Sequence, residues 1–205
     1  MRTFIRSAFF AGLTCSVMFT AQPARAVVTV LGEGFAHECY EAAFAVTNGL
    51  AYVSPVLSDT LLSKSPVEIC DMAISQGGMS LRDLAGTHVN RGVLRFIAAD
   101  HAAALRDFDA AIRADDSVGE SHANRGAALV ALKRYADSIP SISKGIELVS
   151  EEIEKCYYNR AIAYEETGNV KGAYYDYLKA AELRPEWEAP RKQLTRFKVV
   201  SRAAK

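Results

Sequence analysis

Four cysteines, four histidines and one arginine position that recurs three times are the side chains of this 205-residue chain whose type and spacing could do chemistry. A nucleophilic or metal-binding centre would draw on His37, Glu38 and Cys39. His37 and Cys39 lie two residues apart, so on one helix they point to different sides, and no CxxC or HExxH accompanies them. No nucleophile elbow, P-loop or GxGxxG is present. The expectation is no catalytic residue, no metal and no cofactor. His88 and His122 are 34 residues apart, with Tyr157 a further 35 on, and are read as packing positions; a metal or pH-sensing pair between repeats is the rival reading. Asn90-Arg91, Asn124-Arg125 and Asn159-Arg160 imply a repeated structural task. That task is an Asn hydrogen bond to backbone and an Arg stem laid on a neighbouring helix, with a ladder reading carboxylates as the alternative. The remaining carboxylates are expected on solvated helix faces.

The elements that position these groups begin after a leader. Arg2 and Arg6 precede an apolar stretch, Ser7 to Ala21, and Ala24-Arg25-Ala26 offers small residues flanking a cleavage site. Residues 1–26 therefore read as a signal peptide, placing the chain in the periplasm of a Gram-negative host and otherwise outside the cell. No apolar run is long enough to span a membrane. The whole chain carries 24 bases and 24 acids, which disfavours a nucleic-acid binder. Without the leader there are 21 bases against 24 acids, net −3, unevenly spread. Residues 27–84 hold two bases against seven acids, net −5, and residues 187–205 hold six bases against one acid, net +5. Such poles favour head-to-tail association or anionic contact.

A period of 34 to 35 residues organises the middle. His88-Val89-Asn90-Arg91-Gly92, His122-Ala123-Asn124-Arg125-Gly126 and Tyr157-Tyr158-Asn159-Arg160-Ala161 recur in order. Fourteen residues after each Asn comes Ala104, Ser138 or Ala173; eighteen after, Phe108, Ile142 or Tyr177. Small residues on facing helices let backbones approach, and the large ones fill the grooves between them, as in a helical hairpin. Ser117 to Glu120 has capping-box spacing, and Asp137 is expected to cap a helix that holds Pro140 in its first turn. Residues 85–186 thus resemble three tetratricopeptide repeats, 85–118, 119–153 and 154–187 approximately. Ala99 stands where that family usually has a turn glycine.

The resemblance implies an all-α, short right-handed helical-hairpin solenoid whose first helices line a concave groove. Carried over residue by residue, that groove falls on Val89, Val93, Phe96 and Ile97, on Ala123, Ala127 and Val130, and on Lys155, Tyr158, Ile162 and Glu165. Valines and alanines occupy the positions of the carboxylate clamp found in some members, so that clamp is not carried over. The groove that remains is apolar at one end with an acidic rim at Glu165 and Glu166, suited to an apolar or amphipathic segment of another protein. The alternative is a groove covered by the N-terminal arm or by a second copy.

Residues 27–84 read as an extended arm, Val27 to Leu31, followed by a degenerate hairpin: one helix from Phe35 to Asn48-Gly49, and another from Pro66 to Gln76 capped by Ser65 and Glu68. Cys39 and Cys70 sit one per helix of that hairpin and are expected to form a disulfide, leaving Cys156 as a partly buried thiol or an intermolecular bridge. Residues 187–205 are expected to form a capping helix over Glu188 to Ser201 with a narrow stripe of Leu194, Phe197 and Val200. The function expected from all this is non-enzymatic: a scaffold or adaptor for another protein outside the cytoplasm. A structural homo-oligomer with a self-filled groove is the first rival, and a small enzyme or ligand carrier around His37, Glu38 and Cys39 the second.

Overall fold

The computed structural model describes residues 2–6, 35–49, 64–149 and 151–201. Strand β1 (Arg2–Arg6) is followed by helices α1 (Phe35–Thr47), α2 (Pro66–Gln76), α3 (Leu81–Ile97), α4 (His101–Ala114), α5 (Gly119–Ala131), α6 (Tyr135–Leu148), α7 (Ile153–Glu166), α8 (Val170–Leu183) and α9 (Glu188–Leu194), then strand β2 (Phe197–Ser201). The helices pair as hairpins α1/α2, α3/α4, α5/α6 and α7/α8, with α9 against α8, and α1, α3, α5 and α7 stack side by side. This is an all-α hairpin array of tetratricopeptide type. The apolar stretch of the leader, its cleavage pattern and the arm Val27 to Leu31 lie outside the described residues.

Small residues do set the helix spacing. A Cβ on Gly92 would come within 2.5 Å of the Phe108 ring, one on Gly126 would enter Ile142, and one on Gly145 would lie 2.9 Å from the Ala123 backbone. Phe108, Ile142 and Tyr177, the bulky member of each repeat, are buried to 1% exposure or less. In the three repeats, each turn between a first and a second helix passes through one left-handed residue, and these are Ala99 (φ 63°), Lys133 (φ 60°) and Gly168 (φ 82°). Only the third has the residue that adopts such a φ without steric cost.

The leading hairpin matches its sequence signals. Ser65 Oγ accepts from the Glu68 amide, Glu68 Oε2 accepts from the Ser65 amide, and Pro66 opens α2. Cys39 and Cys70 are joined by a disulfide with their Cα atoms 4.7 Å apart. Cys156 is a buried free thiol.

Local expectations fail at three places. The residue before α5 is Val118, without a side-chain cap, because Ser117 turns back to Asp115 instead. Helix α6 begins at Tyr135, so Pro140 lies beyond the first turn, and Asp137 pairs with Arg134. The terminal helix stops at Leu194, and Phe197–Ser201 runs extended in antiparallel register with Arg2–Arg6, Phe197 opposite Arg6 and Ser201 opposite Arg2. Its aromatic and β-branched residues, Phe197, Val199 and Val200, favour a pleated strand over another helical turn.

Candidate functional site

The stacked first helices carry eleven groove positions, and the structure divides them. Val89 and Val93 are buried at 0% and 3% exposure in one cluster with Phe108 of α4, and Tyr40 of α1 packs against that cluster. Val130 is buried against Ile142 and Cys156. Ala123 is half-buried where Gly145 of α6 approaches it. Phe96 is half-buried with its ring centroid 4.7 Å from that of His101, and Ile97 beside it is 43% exposed. Ala127 and Ile162, which share one position in successive repeats, are half-buried. Lys155 is half-buried and ion-paired to Glu152 at 2.6 Å.

The far end of this face is covered. Tyr158 packs against Trp187, centroids 4.8 Å apart, and against Tyr177 at 5.5 Å. Glu165 is no rim residue: it is 8% exposed, accepts from the Tyr177 hydroxyl at 3.1 Å and pairs with Arg196 at 2.7 Å. Burial first, then the Glu165 charge, pushes the Tyr177 phenol far above its ordinary pKa, so it remains a donor at every physiological pH. Phe197 seals this end between Tyr174 and Tyr177. Among the described residues, Tyr40 at one end and the α9–β2 segment at the other leave the face between α3 and α7 as the open stretch.

The recurring arginines do something the repeat spacing alone did not disclose. Each reaches the second helix of its own hairpin and the second helix of the hairpin before it. Arg91 binds Asp107 of α4 through Nε and Nη2 and Asp71 of α2 at 2.6 Å. Arg125 binds Ser141 of α6 and, at 2.6 Å, Asp109 of α4. Arg160 binds Asp176 of α8 at 2.7 Å and Ser143 of α6 at 3.0 Å, with the Tyr157 and Tyr164 rings 5.5 Å and 5.6 Å from its Cζ. The guanidinium, rather than the stem, carries the repeated task.

The carboxylates that answer them depart from the solvated faces expected of them. Asp107 is 2% exposed and Asp176 7%. Burial alone would raise the Asp107 carboxyl, but hydrogen bonds from His88 and Arg91 and the charges of Arg91 and Arg95 outweigh it and hold the group below its ordinary value. The partner lies sixteen residues after each Arg, as Asp107, Ser141 and Asp176, a periodic signal present in the sequence. The Asn expectation also changes: Asn90 is fully buried, and neither of its side-chain amide atoms has a hydrogen-bond partner among the described residues.

The two repeated histidines stand apart in chemistry. His88 Nδ1 lies 3.8 Å from Asp107, whereas His122 Nε2 contacts the Asp116 carbonyl oxygen at 2.9 Å. His37 lies 3.9 Å from Glu41 on an exposed face, and Cys39 is consumed by the disulfide. Among the described residues, no group of three or more His, Cys, Asp or Glu is placed to hold a metal ion. Among them, too, no helix is long and apolar enough to cross a membrane.

Comparison with known proteins adds the fold and nothing finer. No protein-family model and no curated protein matches the chain. Among solved structures, a MamA RS-1 ArsTM double mutant is similar with a TM-score of 0.55 at 17% identity, over 63% of this chain and 70% of that one. The first TPR domain of the human RPAP3 protein, solved by NMR, is similar with a TM-score of 0.51 at 21% identity, over 55% of this chain and 87% of that one.

Proposed function

We propose that this chain is a non-enzymatic interaction scaffold that works outside the cytoplasm and docks an apolar or amphipathic segment of another protein on its first helices. The observation that carries this reading is the exposed apolar end of α3, Phe96 with Ile97, the latter 43% exposed. It opens onto the stretch between the covered ends, where Ala127 and Ile162 are half-buried. The small side chain at Ala127 leaves room for the large residues of an incoming helix, which would meet the array with i, i+3 and i+4 anchors. The leader and the Cys39–Cys70 disulfide support an oxidising compartment, the periplasm in a Gram-negative host.

The test is capture from the exported fraction by the wild-type chain and by Phe96→Glu with Ile97→Glu, with bound proteins identified by mass. A partner held by the wild type and lost by the variant, at equal helicity, supports docking on this face. Equal capture by both chains overturns it.

A further inference from the structure

Helix α1 carries an aromatic ladder that lies outside the repeat period. His37, Tyr40 and Phe44 follow one another along it, with ring centroids 6.5 and 6.1 Å apart. Tyr40 packs against the cluster of Val89, Val93 and Phe108, and Phe96 of α3 packs against the same cluster. Tyr40 thus covers the two valines, but the helix that brings it is itself open one turn further on. Phe44 is exposed nearly as much as Ile97, 41% against 43%. One antiparallel helix separates α1 from α3, so the two run the same way. Phe44 in the last turn of α1 and Ile97 at the end of α3 therefore lie at the same end of the array.

The charges bordering this face are mainly acidic. Glu41 precedes Phe44 by one turn, 3.9 Å from His37, with its side chain 43% exposed. Glu120 lies seven residues before Ala127, and Glu166 four after Ile162, so each shares the helical stripe of a groove position. Glu120 is half-buried and Glu166 exposed. Two bases share these stripes, and both are answered. Lys155 pairs with Glu152 at 2.6 Å, and Arg82, seven residues before Val89, lies where its charge acts on Asp115.

Resting on the docking reading above, we propose that the groove extends across α1 and that its occupant is a basic amphipathic helix. Its apolar side chains cover Phe44, Phe96 and Ile97, and its Lys or Arg residues stand over Glu41, Glu120 and Glu166. An uncharged segment would strip water from those carboxylates and return nothing, and an acidic one would meet like charge. Basic residues flanking an apolar stripe answer both costs. Length fits as well. The first helices stack in the order α1, α3, α5, α7. Three interhelix steps of about 8–10 Å make roughly 24–30 Å, the length of a helix of about 16–20 residues.

The test titrates the full chain against two synthetic peptides of about 18 residues that share one leucine stripe, flanked by lysines in one and by glutamates in the other. The lysine peptide should bind, more weakly as salt rises, and the glutamate peptide should not. Phe44→Ser should weaken the lysine peptide about tenfold at unchanged helicity, with Phe44→Leu restoring most of the loss. Leu183→Ser, at a side chain 43% exposed on α8, should change nothing. Glu41→Gln with Glu120→Gln and Glu166→Gln should remove most of the salt dependence. Equal binding of both peptides, binding of neither, or indifference of the lysine peptide to Phe44→Ser would each overturn the proposal. The docking reading itself is judged separately, by capture with the Phe96 and Ile97 variant: a partner lost there but kept by Phe44→Ser would confine the groove to α3 onward.

Discussion

Arg91 on α3 and Asp107 on α4 are sixteen residues apart, and three contacts between them, at 3.1, 3.1 and 2.5 Å, fasten one helix of the first repeat to the other. Asp107 is almost wholly buried and also accepts from Arg95 at 2.8 Å. Removing Asp107 leaves Arg91 and Arg95 only the more exposed Asp71, at 2.6 Å and 3.7 Å, in place of the buried carboxylate. Asp107→Asn is expected to cost about 3 kcal/mol at pH 7. Because the folded-state pKa of Asp107 is depressed, its contribution is present above the ordinary carboxylate range and lost as pH falls through the folded value. Chemical denaturation of wild type and variant should therefore converge below about pH 4; a constant difference at every pH would refute the ion-pair account.

Arg125 in the second repeat finds a hydroxyl, Ser141, where its counterparts find Asp107 and Asp176. Ser141→Asp restores the carboxylate at a site 6% exposed and should stabilise the array by about 1 kcal/mol, since charge-assisted bonds exceed neutral ones. Thermal melts of Ser141→Asp beside Arg125→Met with Ser141→Asp give the check: the gain should vanish when the arginine is gone.

Helix contact at the small positions admits little. Gly126→Leu should unfold the array locally, costing about 3 kcal/mol, because Ile142 already fills the space. Gly145→Ala should also destabilise, since the obstacle is the Ala123 backbone rather than a movable side-chain end. Unchanged melting of either variant would contradict the packing register.

Ala99 and Lys133 hold the left-handed conformation that Gly168 holds without strain. Ala99→Gly and Lys133→Gly should each raise stability by roughly 1 kcal/mol, read as a higher melting temperature. A drop in stability would mean that the turn tolerates the side chain through contacts of its own.

The Cys39–Cys70 bridge closes a separation of 31 residues, and in chain-entropy terms contributes about 3–4 kcal/mol. In a repeat array that loss should be local, with α1 and α2 exchanging amide hydrogens faster after reduction while α5 to α8 retain protection. Cys156 is buried, and burial, followed by the charge of Glu154, pushes its thiol up to about 12, so it is expected to resist bridging and alkylation in the folded state. Alkylation at neutral pH should leave it unmodified until the protein unfolds.

What the sequence determined by itself is what a local period can encode. Gly92 opposite Phe108 and Gly126 opposite Ile142 were legible as size alternation, as were the Ser65–Glu68 cap and the pairing of Cys39 with Cys70 across one hairpin. Tertiary structure decided which helical faces stay open. Val89 and Ile97 belong to the same carried-over face, yet packing against α4 and α1 buries the first and leaves the second exposed. The strand at Phe197–Ser201 depends on a partner at the other end of the chain, which no local period reports. Asp107, Ser141 and Asp176 lie between: their spacing is in the sequence, but that they are buried beneath a repeated arginine follows only once neighbouring hairpins stack. Periodicity fixes which side of an element is apolar, and burial depends on what the rest of the chain lays over it.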